Sequence, residues 1–171
     1  IDHQATVLCC TPTYAMRLAE VAAKEGTDLA SAKVKTIIVA GEAGGSIPAT
    51  RNRLAGLWHG ARVFDHHGMT EVGPVTYECP QRPCVLHVIE SAYFTEVIDP
   101  GTGKPVVPGQ TGELVLTTLG RTGSPLLRYR TGDLVKPALR NAECGAPCAC
   151  GRFERALEGG IAREIVDAVR N

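Results

Sequence analysis

The chain has 171 residues, 44% of them hydrophobic and 21% charged, with 18 Lys+Arg set against 18 Asp+Glu. These proportions are ordinary for a soluble globular protein and give enough chain for one medium domain or two small lobes. A balanced charge without a basic run excludes an electrostatic footprint for nucleic acid or anionic lipid, and no apolar run reaches the roughly 18 residues of a membrane span.

The opening "IDHQATVLCCTPTY" has no initiator Met, no export signal, and runs at once into an apolar stretch. A cytoplasmic chain that starts within a fold is the expectation. Val7 to Cys10 reads as a short strand ending at Thr11-Pro12, with Cys9 and Cys10 as core thiols. Tyr14 to Lys24 carries apolar residues at helical spacing and stops at Gly26. Val34 to Ala40 is a β-branched run suited to a buried parallel strand. The Gly-rich turn "GEAGGS" follows, and Pro48 opens a helix over about Ala49 to Trp58. Arg62 to Asp65 is a further strand. This β–turn–α–β order predicts parallel pairing with functional loops at the strand ends.

From Val85 to Val135 the pattern changes to "VLHVIES", "FTEVID", "GELVLTTL" and "LLRYRTGDLV", short alternating strands separated by Gly/Pro turns. The predicted fold class is therefore α/β: part of a parallel α/β lobe, then a small, mostly antiparallel β sheet or partial barrel. The boundaries are residues 1–78 for the α/β portion, 79–155 for the β-rich subdomain, and 156–171 for a C-terminal helical tail.

Three turns carry the chemistry. Glycines in Gly41 to Ser46 let backbone N–H groups approach an anion at a helix start, although a tight turn without ligand reads the same way. "DHHGMTE", Asp65 to Glu71, packs imidazoles, a hydroxyl and a carboxylate into one turn; a polar loop whose His66 and His67 cap backbone groups is the plainer account. "YRTGD", Tyr129 to Asp133, places a carboxylate after a Gly turn, as a plain hairpin would.

Together, these turns and the stretches "CCTPTYAMRLAE", "GEAGGSIPATR", "HGMTEVGPVTYEC", "TGELVLTTLGRTGSPLLRYRTGDLV" and "CACGR" resemble the phenylacetate-CoA ligase branch of the adenylate-forming superfamily, over roughly residues 6 to 161. The resemblance implies that Gly41, Glu42 and Ala43 lie against adenine. It implies that Asp65, His66, His67, Gly68, Met69 and Thr70 form the nucleotide turn, with His67 stacking near the base. Thr70 would contact phosphate, and Glu71 would hold Mg²⁺; these two are the implied catalytic residues. Asp133 would hold the ribose hydroxyls, and Arg163 stands where a ribose-contacting arginine belongs.

The implied reaction joins an aryl carboxylate to ATP, giving acyl-AMP and pyrophosphate, and then to CoA, giving acyl-CoA and AMP. Three departures stand against the pattern. The upstream phosphate loop is absent, "EGGIAREIVDAVRN" replaces the hinge and the domain bearing the catalytic lysine, and His67 replaces a tyrosine. The expectation is an incomplete chain, weak or inactive alone. A degenerate nucleotide-binding regulator, a homodimer, or a split subunit completed by a partner chain are the alternatives.

Seven cysteines fall in clusters, with Cys79, Cys84 and His87 after the "TE" turn and Cys144, Cys148 and Cys150 downstream. Thiolates and imidazole on two loops suit a closed tetrahedral zinc. By resemblance the ligands are Cys79, His87, Cys148 and Cys150, with Cys84 and Cys144 as spares. Reduced cysteines with His87 facing solvent are the rival reading.

Overall fold

The computed structural model describes residues 3–107 and 109–137 in full and the backbone of 156–162. The first lobe is a parallel sheet of β1 (Val7–Cys10), β2 (Thr36–Val39) and β3 (Arg62–Asp65), with β2 central. Its register sets Leu8 beside Ile37 and Ile37 beside Val63. Two helices cover one face, α1 (Pro12–Lys24) and α2 (Pro48–Leu57).

Thr11 caps α1 by accepting from the Tyr14 amide at 3.2 Å, with proline in the first turn and Lys24 in the last. The cap starts the helix two residues earlier than periodicity alone predicts. Gly26, at φ 68°, supplies the left-handed residue that ends it. The lobe's core is Ala15, Ala19, Ile37, Val39, Leu54, Trp58, Ala61 and Val63. Trp58 donates from Nε1 to the Ala15 carbonyl at 3.1 Å, locking α2 to α1.

Pleating sends alternate residues to the opposite face, where Val7 and Cys9 are exposed. The expectation that Cys9 and Cys10 are core thiols is corrected for Cys9, whereas Cys10 packs partly buried against the core. β1 is an edge strand and its outer face is uncovered among the described residues, so Cys9 is exposed and Cys10 only half-buried.

A short ladder of β4 (Gly68–Met69) and β5 (Gly73–Pro74) leads into a six-stranded sheet. The strands of that sheet are β6 (Thr76–Glu78), β7 (Val85–Val88), β8 (Tyr93–Ile98), β9 (Gly112–Thr118), β10 (Tyr129–Pro137) and β11 (Ala156–Ala162). Their order is β6-β7-β11-β10-β9-β8, and every pairing is antiparallel. Val72, Val75, Val88, Tyr93, Leu114, Leu116 and Val135 form its core.

The expectation of a helical tail from residue 156 is corrected over its first part. Residues 156–162 are a strand, because β7 and β10 leave a strand-wide gap whose backbone groups need partners. Periodicity cannot see a demand that comes from the rest of the sheet. The remainder of the proposed helix, with Arg163, lies outside the described residues.

Candidate functional site

The Gly41–Ser46 turn leaves β2 at a φ of +88° for Gly41 and +147° for Gly44, conformations that glycine adopts without strain. Gly41, Glu42 and Ala43 are exposed, while Gly44, Gly45 and Ser46 are buried. Glu42 accepts from the Thr13 amide at 2.5 Å, and that contact with Thr13 holds its carboxyl below the usual range. A Cβ on Gly45 would lie 2.3 Å from Asp65 Oδ1, so only glycine lets this turn close onto the end of β3.

Asp65 ends β3 and opens the second turn. The Ser46 hydroxyl donates to its Oδ2, and the His66 amide donates to Oδ1 at 2.9 Å. Burial nevertheless pushes the Asp65 carboxyl up, and the Ser46 and His66 hydrogen bonds only partly offset it.

The two histidines then part company. His66 Nδ1 meets the Thr76 carbonyl at 2.7 Å, which is the backbone-capping role. His67 instead reaches across the fold: its Nε2 lies 3.0 Å from Asp133 Oδ2, 66 residues away. A carboxylate accepts, so Nε2 carries the hydrogen. The ring's Nδ1 is buried and has no hydrogen-bond partner among the described residues.

Asp133 is 1% exposed. It does not sit on a hairpin turn: a register shift between Arg130 and Leu134 bulges β10, with Gly132 at φ 75° re-aiming the next side chain. Thr70 and Glu71 are exposed on the loop between β4 and β5, whose end Arg121 ties down by donating to the Glu71 carbonyl at 2.5 Å.

The arrangement thus brings Gly45–Ser46, Asp65–His67 and Asp133 together through direct contacts, with Thr70 and Glu71 on the same turn as His67. An unpartnered buried imidazole nitrogen, a buried carboxylate and an exposed glycine turn fit a nucleoside monophosphate. The exposed carboxylate of Glu71 fits a hard divalent cation.

Of the four zinc candidates, Cys79 and His87 are described. His87 pairs with Tyr77 across β6 and β7, their rings 5.5 Å apart, and Cys79 lies two residues along on the same face. Both are buried, so the reading of His87 as facing solvent does not hold. A thiol and an imidazole on one face fit half of a zinc set. Cys148 and Cys150, like the spare Cys144, lie outside the described residues, and no group of three metal-ligating side chains occurs among the described ones.

Sequence reasoning missed Arg51 and Glu78. Arg51 donates to Glu78 at 2.9 Å, with side chains 17% and 2% exposed. Only the strand parity of Glu78, two residues after the buried Thr76, hinted at burial. The pair borders a cavity of about 290 Å³ with Cys79, Pro80 and Pro83, but none of the three turns lines it.

Residues 1–121 match the family of AMP-binding enzymes. The chain belongs to that family. It is 35% identical over 84% of its length to a phenylacetate-coenzyme A ligase of Thermus thermophilus, covering 32% of that protein. It is 32% identical over 79% to the one from Pseudomonas putida, covering 30% of it. The chain therefore spans about a third of the length of these curated relatives. Among solved structures, an open 2-hydroxyisobutyryl-CoA ligase in complex with 2-HIB-AMP and CoA superposes with a TM-score of 0.83 at 30% identity, over 94% of this chain and 34% of that one. A long-chain-fatty-acid-CoA ligase from Archaeoglobus fulgidus, at 19% identity and a TM-score of 0.60 over 80% of this chain and 33% of that one, shares the fold. No helix among the described residues of this AMP-binding family member is long and apolar enough to cross a membrane.

Proposed function

We propose that the chain is the central nucleotide-handling part of an AMP-forming aryl-acid CoA ligase. The observation that carries this reading is the 3.0 Å contact between His67 and Asp133, which joins two turns 66 residues apart beside the glycine turn. In the first step a carboxylate oxygen attacks the α-phosphorus of ATP, forming the acyl-phosphate bond as the bond to pyrophosphate breaks. In the second the CoA thiol takes the acyl group and AMP leaves.

The protein's share is positioning and charge stabilisation. Gly41, Glu42 and Ala43 present backbone against the base, and the His67 ring lies along it, with His66 and Met69 shaping the turn. Asp133 accepts from the ribose hydroxyls, assisted by Arg163. Thr70 donates to phosphate. Glu71 would hold Mg²⁺, which supplies charge neutralisation on the phosphates. Cys79, His87, Cys148 and Cys150 would hold a structural zinc that ties β6–β7 to the segment carrying Cys148 and Cys150, protecting the fold and taking no part in the chemistry.

Titration calorimetry with AMP and Mg²⁺-ATP tests the reading, with pyrophosphate exchange driven by an aryl acid as the catalytic arm. Binding by the chain, weakened about tenfold or more in Asp133→Asn, is expected from losing a charged hydrogen-bond acceptor. No binding of either nucleotide overturns it. Exchange that needs an added partner chain would assign this one to a split enzyme.

A further inference from the structure

Arg51 and Glu78 hold more of the site than either turn holds by itself. Arg51 sits in α2 and donates from Nη1 to the Gly45 carbonyl at 2.6 Å and to Glu78 Oε2, and from Nη2 to the Val63 carbonyl. Glu78, at the end of β6, also accepts the Asp65 amide on Oε2 and the Cys84 amide on Oε1 at 2.8 Å. One buried ion pair thus touches the glycine turn, the edge strand β3, the start of the 65–71 turn and the loop after Cys79.

We infer that Arg51 and Glu78 are a positioning pair that sets the glycine turn against Asp65, so that Glu78 governs nucleotide affinity without touching the nucleotide. The inference rests on reading that turn as nucleotide-facing.

The geometry is restrictive for two reasons. Three acceptors are spread over Nη1 and Nη2 of one planar guanidinium, whereas the three donors of a lysine ammonium sit on a single nitrogen and cannot span both positions. Gly45 also has no space to shift, since its α-carbon faces Asp65 at a distance that admits no Cβ. Pulling the Gly45 carbonyl toward Arg51 therefore fixes where the Ser46 hydroxyl meets Asp65. Asp65 is held from its other side by Glu78 through the backbone amide. Glu78 reaches Gly45 through Arg51 and Ser46 through Asp65, so its effect on the glycine turn travels by those two residues.

The test compares Glu78→Gln and Arg51→Lys with Trp58→Phe, which removes the Trp58 to Ala15 hydrogen bond in the same lobe and leaves the turns untouched. Amide hydrogen exchange over residues 41–47 and AMP affinity by calorimetry are read well below the unfolding temperature of every variant. Glu78→Gln is expected to speed exchange in the 41–47 peptide and to weaken AMP, each by about tenfold, the equivalent of one charged hydrogen bond. Trp58→Phe leaves both within about twofold while lowering thermal stability. Arg51→Lys, which keeps the charge beside Glu78, falls between them, and it decides the matter if Glu78→Gln does not fold.

Unchanged exchange over 41–47 in the decisive variant overturns the inference, as does a Trp58→Phe effect of the same size. If the unaltered chain binds no AMP, the proposed function falls, while the exchange arm still decides whether the pair positions the turn.

Discussion

Gly45→Ala is the sharpest single test of how the glycine turn closes on β3. The added methyl would meet Asp65 Oδ1 at 2.3 Å, its Cγ at 2.4 Å and Val39 Cγ2 at 2.7 Å. Real Cβ atoms do not sit so close, and the obstruction is a buried carboxylate and a core valine whose freedom to move is small. Overpacking of this kind costs about 1–3 kcal/mol. Displacing Asp65 also breaks its hydrogen bond from Ser46, worth about 1 kcal/mol. The expected loss is therefore about 2–4 kcal/mol in urea or thermal unfolding, together with weakened AMP binding. Gly56→Ala is the matched control: it lies exposed in α2 with nothing within 4 Å of the added Cβ, and relief of backbone entropy should stabilise by about 0.5–1 kcal/mol. If Gly45→Ala is as stable as the unaltered chain, the turn does not pack against Asp65 as described, and the convergence of the site residues loses its physical basis.

Leu54→Ala empties a fully buried position in the α/β core and should cost about 2–5 kcal/mol by denaturant unfolding, with no change in the slope of the transition. Asp65 gives a pH signature. Its folded carboxyl titrates above its ordinary 3.8 because it is buried, so the unfolded chain gives up its proton first. Its contribution to stability is therefore full below 3.8 and falls as pH rises through that value toward the raised one. Asp65→Asn should remove this decline from a pH series of unfolding midpoints, and an unaltered decline would clear Asp65 of responsibility. Elemental analysis should find about one zinc per chain, with Cys79→Ser and His87→Asn each lowering occupancy and thermal stability. Full stability after treatment with a chelator would count against a structural metal.

Much of this fold could be read from sequence because the signals were local. The β-branched run before "GEAGGS" and Pro48 in a first turn each dictate structure within a few residues, and their elements formed where expected, whereas the Thr11 cap starts α1 at Pro12, two residues before the expected Tyr14. The missed features share a different cause. Strand β11 exists because two distant strands leave a gap, Cys9 is exposed because the face of β1 opposite the helices is uncovered among the described residues, and Glu78 is buried because an arginine from another element neutralises it. None of these is a property of a sequence window. The site lies between the two cases. Its turns carried recognisable residue types, but the hydrogen bond from His67 to Asp133, and the division of labour between His66 and His67, required coordinates.

The position of β11 also bears on how the protein is made. Strands β7 and β10 are synthesised well before the strand that lies between them, so the sheet has no complete ladder until residue 162 has emerged. Pairings this distant in sequence carry a loop-closure cost that slows their formation. Until they form, β7 and β10 each present a row of unsatisfied backbone groups, the kind of edge on which a second chain can template. Assembly of the β lobe is thus a late event governed by its last strand, and a chain stopped before Ala156 would be left with the sheet split in two.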